Sequence, residues 1–213
     1  MTLTLTDALA EMPLVAILRG VRHDEVAEIA EVIVNAGIRI IEVPLNSPEP
    51  FASITTLCKT LKDRALIGAG TVLTTADVDQ VAASGGTVIV SPNCNLEVIR
   101  HTKKLGMLSL PGFFTPTEAF AALDAGADAL KLFPAEMASP SVVRAMRAVL
   151  PKTAKLLVVG GVSPQNIPPY MAAGVDGFGI GSDLYRAGRD ADEIGLRAAT
   201  LVAAVNAGRT ATA

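Results

Sequence analysis

Eight short apolar runs recur along the chain, each followed by a longer amphipathic stretch. The runs are LVAIL (14–18), RIIEV (39–43), ALIGA (65–69), TVIVS (87–91), MLSL (107–110), ALKLF (129–133), KLLVV (155–159) and GFGIG (177–181). Runs this uniformly apolar suit strands buried on both faces, as in parallel sheets. Between them, DEVAEIAEVIVNAG (24–37), TADVDQVAASGG (75–86), PTEAFAALDAG (116–126) and SPSVVRAMRAVL (139–150) carry helical patterning. Gly37, Gly85, Gly106, Gly126 and Gly174 stand where helices would stop. Several stretches open on Asp, Thr or Ser, which suit helix N-caps.

Eight strands alternating with helices predict an α/β fold with parallel strands, a (β/α)8 barrel. One such domain spans residues 1–213. An open doubly wound sheet is the alternative, but it usually has fewer strands, and RGVRHDE after the first run carries one glycine and no dinucleotide fingerprint. TLTDALAEM (4–12) is expected to form an extra helix closing the barrel's N-terminal face, and RTATA (209–213) to fray.

Composition narrows the function. Half of the residues are hydrophobic and only 4% aromatic, so the core must come from Ala, Val, Ile and Leu. A net charge of −3 argues against a nucleic-acid footprint. Cys58 and Cys94 give neither a disulfide framework nor zinc spacing, as expected for reduced thiols in a cytoplasm. The N-terminus lacks the basic and apolar regions of a signal peptide. No apolar run approaches the roughly 18 residues of a membrane span.

In such a barrel the chemistry gathers at the C-terminal ends of the strands. Lys131 is the unexpected residue of its run. Side chains alternate along a strand, so if Leu130 and Leu132 face the helices, Lys131 points into the barrel. A buried amine loses proton affinity and, once neutral, can attack a ketone to form a Schiff base. Glu42, inside RIIEV, suits proton transfer opposite it. A structural Lys131–Glu42 ion pair would explain both residues, but not the small-residue loops beside them. VVGGVSPQN (158–166) and GIGSDLY (179–185) follow strands seven and eight, where barrels often bind phosphate on backbone N–H groups. Tight-turn geometry alone would also call for these glycines. Arg19 suits a carboxylate bidentately, or a surface salt bridge, and Thr71 could add a hydroxyl. His23 and His101 occupy ordinary positions, no histidine–carboxylate cluster favours metal catalysis, and no basic neighbour in sequence activates Cys94.

VAILRG, IIEVPLNSP, IGAGTV, VSPN, PG, TPTEAF, ALKLFPAE, VVGGVSPQN and GIGSDLYRAG appear in that order from about Leu14 to Arg189. In this ordered set the chain resembles the 2-keto-3-deoxy-6-phosphogluconate / 6-phosphogalactonate aldolases, metal-independent class I enzymes. The resemblance implies a (β/α)8 barrel, a homotrimer, a phosphorylated keto-acid substrate, and no metal or organic cofactor. It implies Lys131 as the Schiff-base lysine and Glu42 as the acid/base. Thr71, Pro92 and Phe133 would line the pyruvate-derived part of the pocket, and Gly160, Gly161, Gly181 and Ser182 would hold the phosphate.

Two departures point to the galactonate branch. Asn46 stands where the gluconate branch usually has an arginine, so Arg19 would take the substrate carboxylate. Val159 stands where that branch often has threonine, which bears on the preferred configuration at C4. Phe113 and Phe114 occupy places where small residues are more common and are expected to narrow the pocket. The resemblance thus implies cleavage of 2-dehydro-3-deoxy-6-phosphogalactonate to pyruvate and glyceraldehyde 3-phosphate in galactonate catabolism. The rivals are the C4-epimeric gluconate substrate, another phosphate-binding barrel enzyme such as a sugar-phosphate epimerase or isomerase, and a non-catalytic phosphometabolite-binding barrel.

Overall fold

The computed structural model describes residues 3–212. After helix α1 (Leu5–Glu11) come β1 (Leu14–Ile17), α2 (Val26–Asn35), β2 (Ile40–Pro44), α3 (Pro50–Leu61), β3 (Leu66–Gly70), α4 (Thr75–Ala83) and β4 (Val88–Val90). There follow α5 (Leu96–Lys104), β5 (Leu108–Leu110), β6 (Gly112–Phe113), α6 (Pro116–Asp124) and β7 (Leu130–Leu132). The chain continues through α7 (Pro140–Val149), β8 (Leu156–Val159), α8 (Ile167–Ala172), β9 (Gly177–Ile180) and α9 (Ala191–Thr212).

All eight expected runs form parallel strands, yet the sheet has nine, in the order β5-β4-β3-β2-β1-β9-β8-β7-β6. The extra strand comes from one passage divided in two. Leu108–Leu110 pairs with β4, and Gly112–Phe113 pairs with β7. Pro111, which has no N–H to donate, stands between them, and its carbonyl accepts the Lys131 N–H at 2.9 Å. The two ends of the sheet are therefore joined through a single residue, and the barrel closes.

Alternation along each strand sorts the core into two layers. Leu14, Ala16, Ile41, Val43, Leu130 and Leu132 face outward to the helices. Val15, Ile40, Leu66, Val88, Val90, Leu110, Ala129 and Leu157 face inward. Leu5, Ala8 and Leu9 of α1 join the inner cluster, so this helix plugs the barrel at its N-terminal face as expected. A capping box holds its start: Thr4 accepts the Asp7 N–H, and Asp7 accepts the Thr4 N–H. Thr74 and Thr115 start α4 and α6 in the same way.

Helices end two residues before the glycine expected to stop them, because that glycine takes the left-handed position. Gly37 has φ +103° and Gly126 φ +98°. The tail differs from expectation: α9 continues through RTATA to Thr212, and the Thr210 hydroxyl donates to the Ala207 carbonyl at 2.9 Å. Ala213 lies outside the described residues.

The α1 plug gives a direct test. Leu9→Ala, which empties a buried position beneath the barrel floor, should cost about 2–5 kcal/mol in urea unfolding. A loss below about 0.5 kcal/mol, the usual effect of a surface change, would show that α1 is not part of the core.

Candidate active site

The barrel has eight angular positions once β5 and β6 count as one. Glu42 on β2 and Lys131 on β7 then stand four positions apart, with three strands between them in either direction, on opposite walls. Ile40 and Ala129, two residues earlier on the same strands, belong to the apolar inner cluster, so both ionisable groups lie just above it. Glu42 is 2% exposed and Lys131 is 7% exposed.

Burial governs the protonation of both. It pushes the Glu42 carboxyl up to about 7, against the pull of Lys131 and Arg19. It lowers the proton affinity of Lys131; Glu42 opposes that shift and Arg19 adds to it. Glu42 Oε2 has no hydrogen-bond partner among the described residues, and the Lys131 amine lies 4.7 Å from the centre of the Phe133 ring. This pair is not the tight, mutually satisfied salt bridge that a structural role would need.

A cavity of about 480 Å³ opens above the pair. Arg19, Glu42, Thr71, Pro92, Lys131 and Phe133 line it. So do Val159, Gly160, Gly161, Gly181 and Ser182, which brings every residue expected to act on or bind the substrate into one space. Arg19 donates to Asn46 Oδ1 at 2.5 Å and lies 3.4 Å from the Thr71 hydroxyl. Asn46 thus holds the arginine at the cavity rather than replacing it. Thr71 follows Gly70 at φ +58°, a costly conformation for a β-branched residue and one that clusters at functional sites.

The two glycine loops have the donors an anion needs. Gly160 and Gly161 lie at φ +106° and +61°. The Gly181 carbonyl accepts the Leu184 and Tyr185 N–H groups at 3.0 and 2.9 Å, which turns the chain sharply at Ser182. The N–H groups of Gly161 and Ser182 donate to no acceptor among the described residues.

Three polar cavity side chains had no role in the sequence reading: Glu136, Tyr185 and Arg186. They sit three or four residues past Phe133 and Ser182, in FPAE and SDLYRAG, so reading each loop onward would have found them. Tyr185 donates to Glu25 Oε1 at 2.8 Å, tying the loop after β9 to the start of α2. Phe113 and Phe114 do not narrow the cavity. Phe113 is 2% exposed in the outer cluster, where it pairs with outward-facing Leu132 while Gly112 pairs with Lys131, and Phe114 packs against that cluster.

His23 pairs with Thr56 and His101 with Asp79, away from the cavity. Burial raises both cysteine thiols, so neither is primed as a thiolate. Among the described residues no three His, Cys, Asp or Glu side chains converge as a metal site, and no helix is long and apolar enough to cross a membrane.

The raised Glu42 value has a stability consequence. Its folded pKa of about 7 lies above its ordinary 4.5. The stability tied to its protonated form is complete below pH 4.5 and is lost as pH rises through 7. Glu42→Gln, which mimics that form, should therefore gain on the wild type by roughly 3 kcal/mol between pH 5 and pH 8, at about 1.4 kcal/mol per pKa unit. A stability difference that stays flat across this range would show that Glu42 ionises normally.

Known proteins resemble this chain in sequence and fold. A profile of the KDPG and KHG aldolase family matches residues 5–196. A probable 2-dehydro-3-deoxy-6-phosphogalactonate aldolase of Rhizobium meliloti is 48% identical over 92% of this chain and 93% of its own. The 2-dehydro-3-deoxy-6-phosphogalactonate aldolase of Escherichia coli is 45% identical over 91% of this chain and 95% of its own. A solved native KDPGal structure superimposes with a TM-score of 0.93 at 42% identity, covering 99% of this chain and 100% of that one. With the fold, the opposed lysine and glutamate and these matches in agreement, the chain belongs to the KDPG and KHG aldolase family.

Proposed function

We propose that the chain is a class I aldolase that cleaves 2-dehydro-3-deoxy-6-phosphogalactonate reversibly to pyruvate and D-glyceraldehyde 3-phosphate in galactonate catabolism. The observation that carries this reading is the buried lysine facing a buried carboxyl poised near neutrality in one cavity. A class I aldolase needs a deprotonated amine to attack and an acid/base that can gain and lose a proton near pH 7.

Lys131 Nζ adds to the C2 ketone to give a carbinolamine. Glu42 donates a proton to the departing hydroxyl, and a protonated imine forms. The Glu42 carboxylate then takes the C4 hydroxyl proton as the C3–C4 bond breaks. The bonding pair moves into the iminium and leaves an enamine on Lys131, and glyceraldehyde 3-phosphate departs. Protonation at C3 and hydrolysis release pyruvate and the free lysine. Arg19 holds the substrate carboxylate, and Thr71, Pro92 and Phe133 enclose the pyruvate part. Gly160, Gly161, Gly181 and Ser182 hold the phosphate. No metal or organic cofactor takes part in this scheme. A single barrel domain, a homotrimeric assembly and a cytoplasmic location belong to the same reading.

The C4-epimeric gluconate substrate is the second reading. Val159 favours the galactonate one, since it lines the cavity and offers no hydroxyl. A site built to hydrogen-bond one hydroxyl penalises its absence, so Val159→Thr should shift the kcat/KM ratio of the two epimers toward the gluconate substrate by about tenfold. An unchanged ratio would remove Val159 from the account of specificity.

The chemistry is tested by borohydride reduction in the presence of pyruvate, followed by peptide mapping. A pyruvate-derived adduct is expected on the peptide holding Lys131, and Lys131→Ala should abolish both adduct and turnover. Glu42→Gln should slow turnover by roughly 10²–10⁴-fold, the usual effect of losing a general acid/base. An adduct absent from every lysine of the folded wild type would reject the aldolase reading.

A further inference from the structure

The catalytic scheme leaves two charged cavity residues unused, and both sit at the proposed phosphate end. Lys131 and Arg19 act on Glu42 at the deep end. Arg186 instead belongs to the loop after β9. Its Nε donates to the Ser182 carbonyl at 3.2 Å, and no acidic side chain among the described residues pairs with it. The nearby Arg189 shares that carbonyl at 2.8 Å but is committed to Glu193 at 3.2 Å and does not line the cavity.

Glu136 lies across from it in the 3-10 turn Ala135–Met137. The Tyr170 hydroxyl donates to the carbonyls of Ala135 and Ala138 and pins this turn. A Cβ on Gly160 would fall 2.3 Å from Glu136 Oε2, and one on Gly161 would fall 2.7 Å from Glu136 Cγ. A carboxylate with no hydrogen-bond partner among the described residues is thus laid against the turn whose backbone suits an anion.

We propose that Arg186 and Glu136 are an opposed pair of specificity-determining residues that sets how strongly the phosphate end of the substrate is held. The inference rests on the phosphate placement proposed above. Arg186, anchored through Nε, donates its remaining N–H groups to phosphate oxygens. Glu136 stands against the same subsite and weakens it by like-charge repulsion. The opposition has a use in a reversible aldolase. Phosphate binding that is uniform across substrate, transition state and product adds nothing to kcat, and a phosphorylated product must still leave.

The test is the condensation of pyruvate with glyceraldehyde 3-phosphate and with unphosphorylated glyceraldehyde, scored as the ratio of the two kcat/KM values. Arg186→Gln should lower the ratio by about tenfold, the scale of one charge-assisted hydrogen bond, with Arg186→Lys in between. Glu136→Gln should raise it by about threefold, and added salt should shrink both effects. A packing defect would not move the ratio in opposite directions, nor respond to salt. A ratio unmoved by either Gln substitution, or moved the same way by both, would overturn the proposal. A wild type that takes no pyruvate adduct under borohydride would instead reject the aldolase reading, and this inference with it.

Discussion

Keeping an amine and a carboxyl out of water inside one barrel is the constraint on which the rest of the site depends. Each charged form alone is costly to bury by several kcal/mol, and burial moves both groups toward neutrality. Placed on opposite walls, Glu42 and Lys131 temper each other's shift without collapsing into a fixed ion pair. On the proposed reading this separation leaves the lysine free to act as a nucleophile, and Glu42 Oε2 has no partner among the described residues. The stability this arrangement gives up falls to the apolar layers around it to supply. Below lie the inner cluster and the α1 plug, and outside lies a core of Val, Ile, Leu and Ala between strands and helices.

The carboxyl of Glu42 also dictates sequence on the neighbouring strand. A Cβ at Gly70 would fall 1.9 Å from Glu42 Oε2, so β3 must end in a residue without a side chain for β2 to carry the glutamate. The Leu45 N–H donates to the Gly70 carbonyl at 2.8 Å, which prevents the strand from sliding away. Thr71 then absorbs the turn at positive φ and brings its hydroxyl toward Arg19. At the cavity mouth the positive φ of Gly160 and Gly161 already calls for glycine, and the Glu136 side chain lies against both. The buried acid on β2 thus accounts for Gly70, a glycine that no positive φ explains.

Much of this was legible in the sequence because burial is periodic. The alternation of Ala129, Lys131 and Phe133 against Leu130 and Leu132 was enough to turn the lysine inward, and the same logic placed Glu42. The capped starts of α4 and α6 and the left-handed glycines were legible because each acts locally. The division of the fifth strand was not, since Pro111 removes a donor whose consequence appears only when β7 is alongside. The break leaves the alternation intact, with Leu110 and Gly112 inward and Phe113 outward, so the facing of Phe113 was readable from the strand pattern itself. The role of Gly70 was equally hidden, as its neighbour is a side chain 28 positions earlier in the chain.

Val159 shows how the two ends of the cavity are held apart. It closes β8 opposite Gly179 of β9, and a Cβ there would lie 2.8 Å from its Cγ2. The missing side chain at Gly179 makes room for the two methyls of Val159, which is 7% exposed and lines the cavity directly before Gly160. An apolar residue between the lysine end and the diglycine turn supplies no polar group that could compete for the C4 hydroxyl, whose proton the proposed reaction assigns to Glu42. Threonine has nearly the same shape, so the choice between them changes hydrogen bonding and leaves packing almost untouched. On the proposed reading, selectivity at C4 can therefore change at this position while the barrel, the lysine and the glutamate remain as they are.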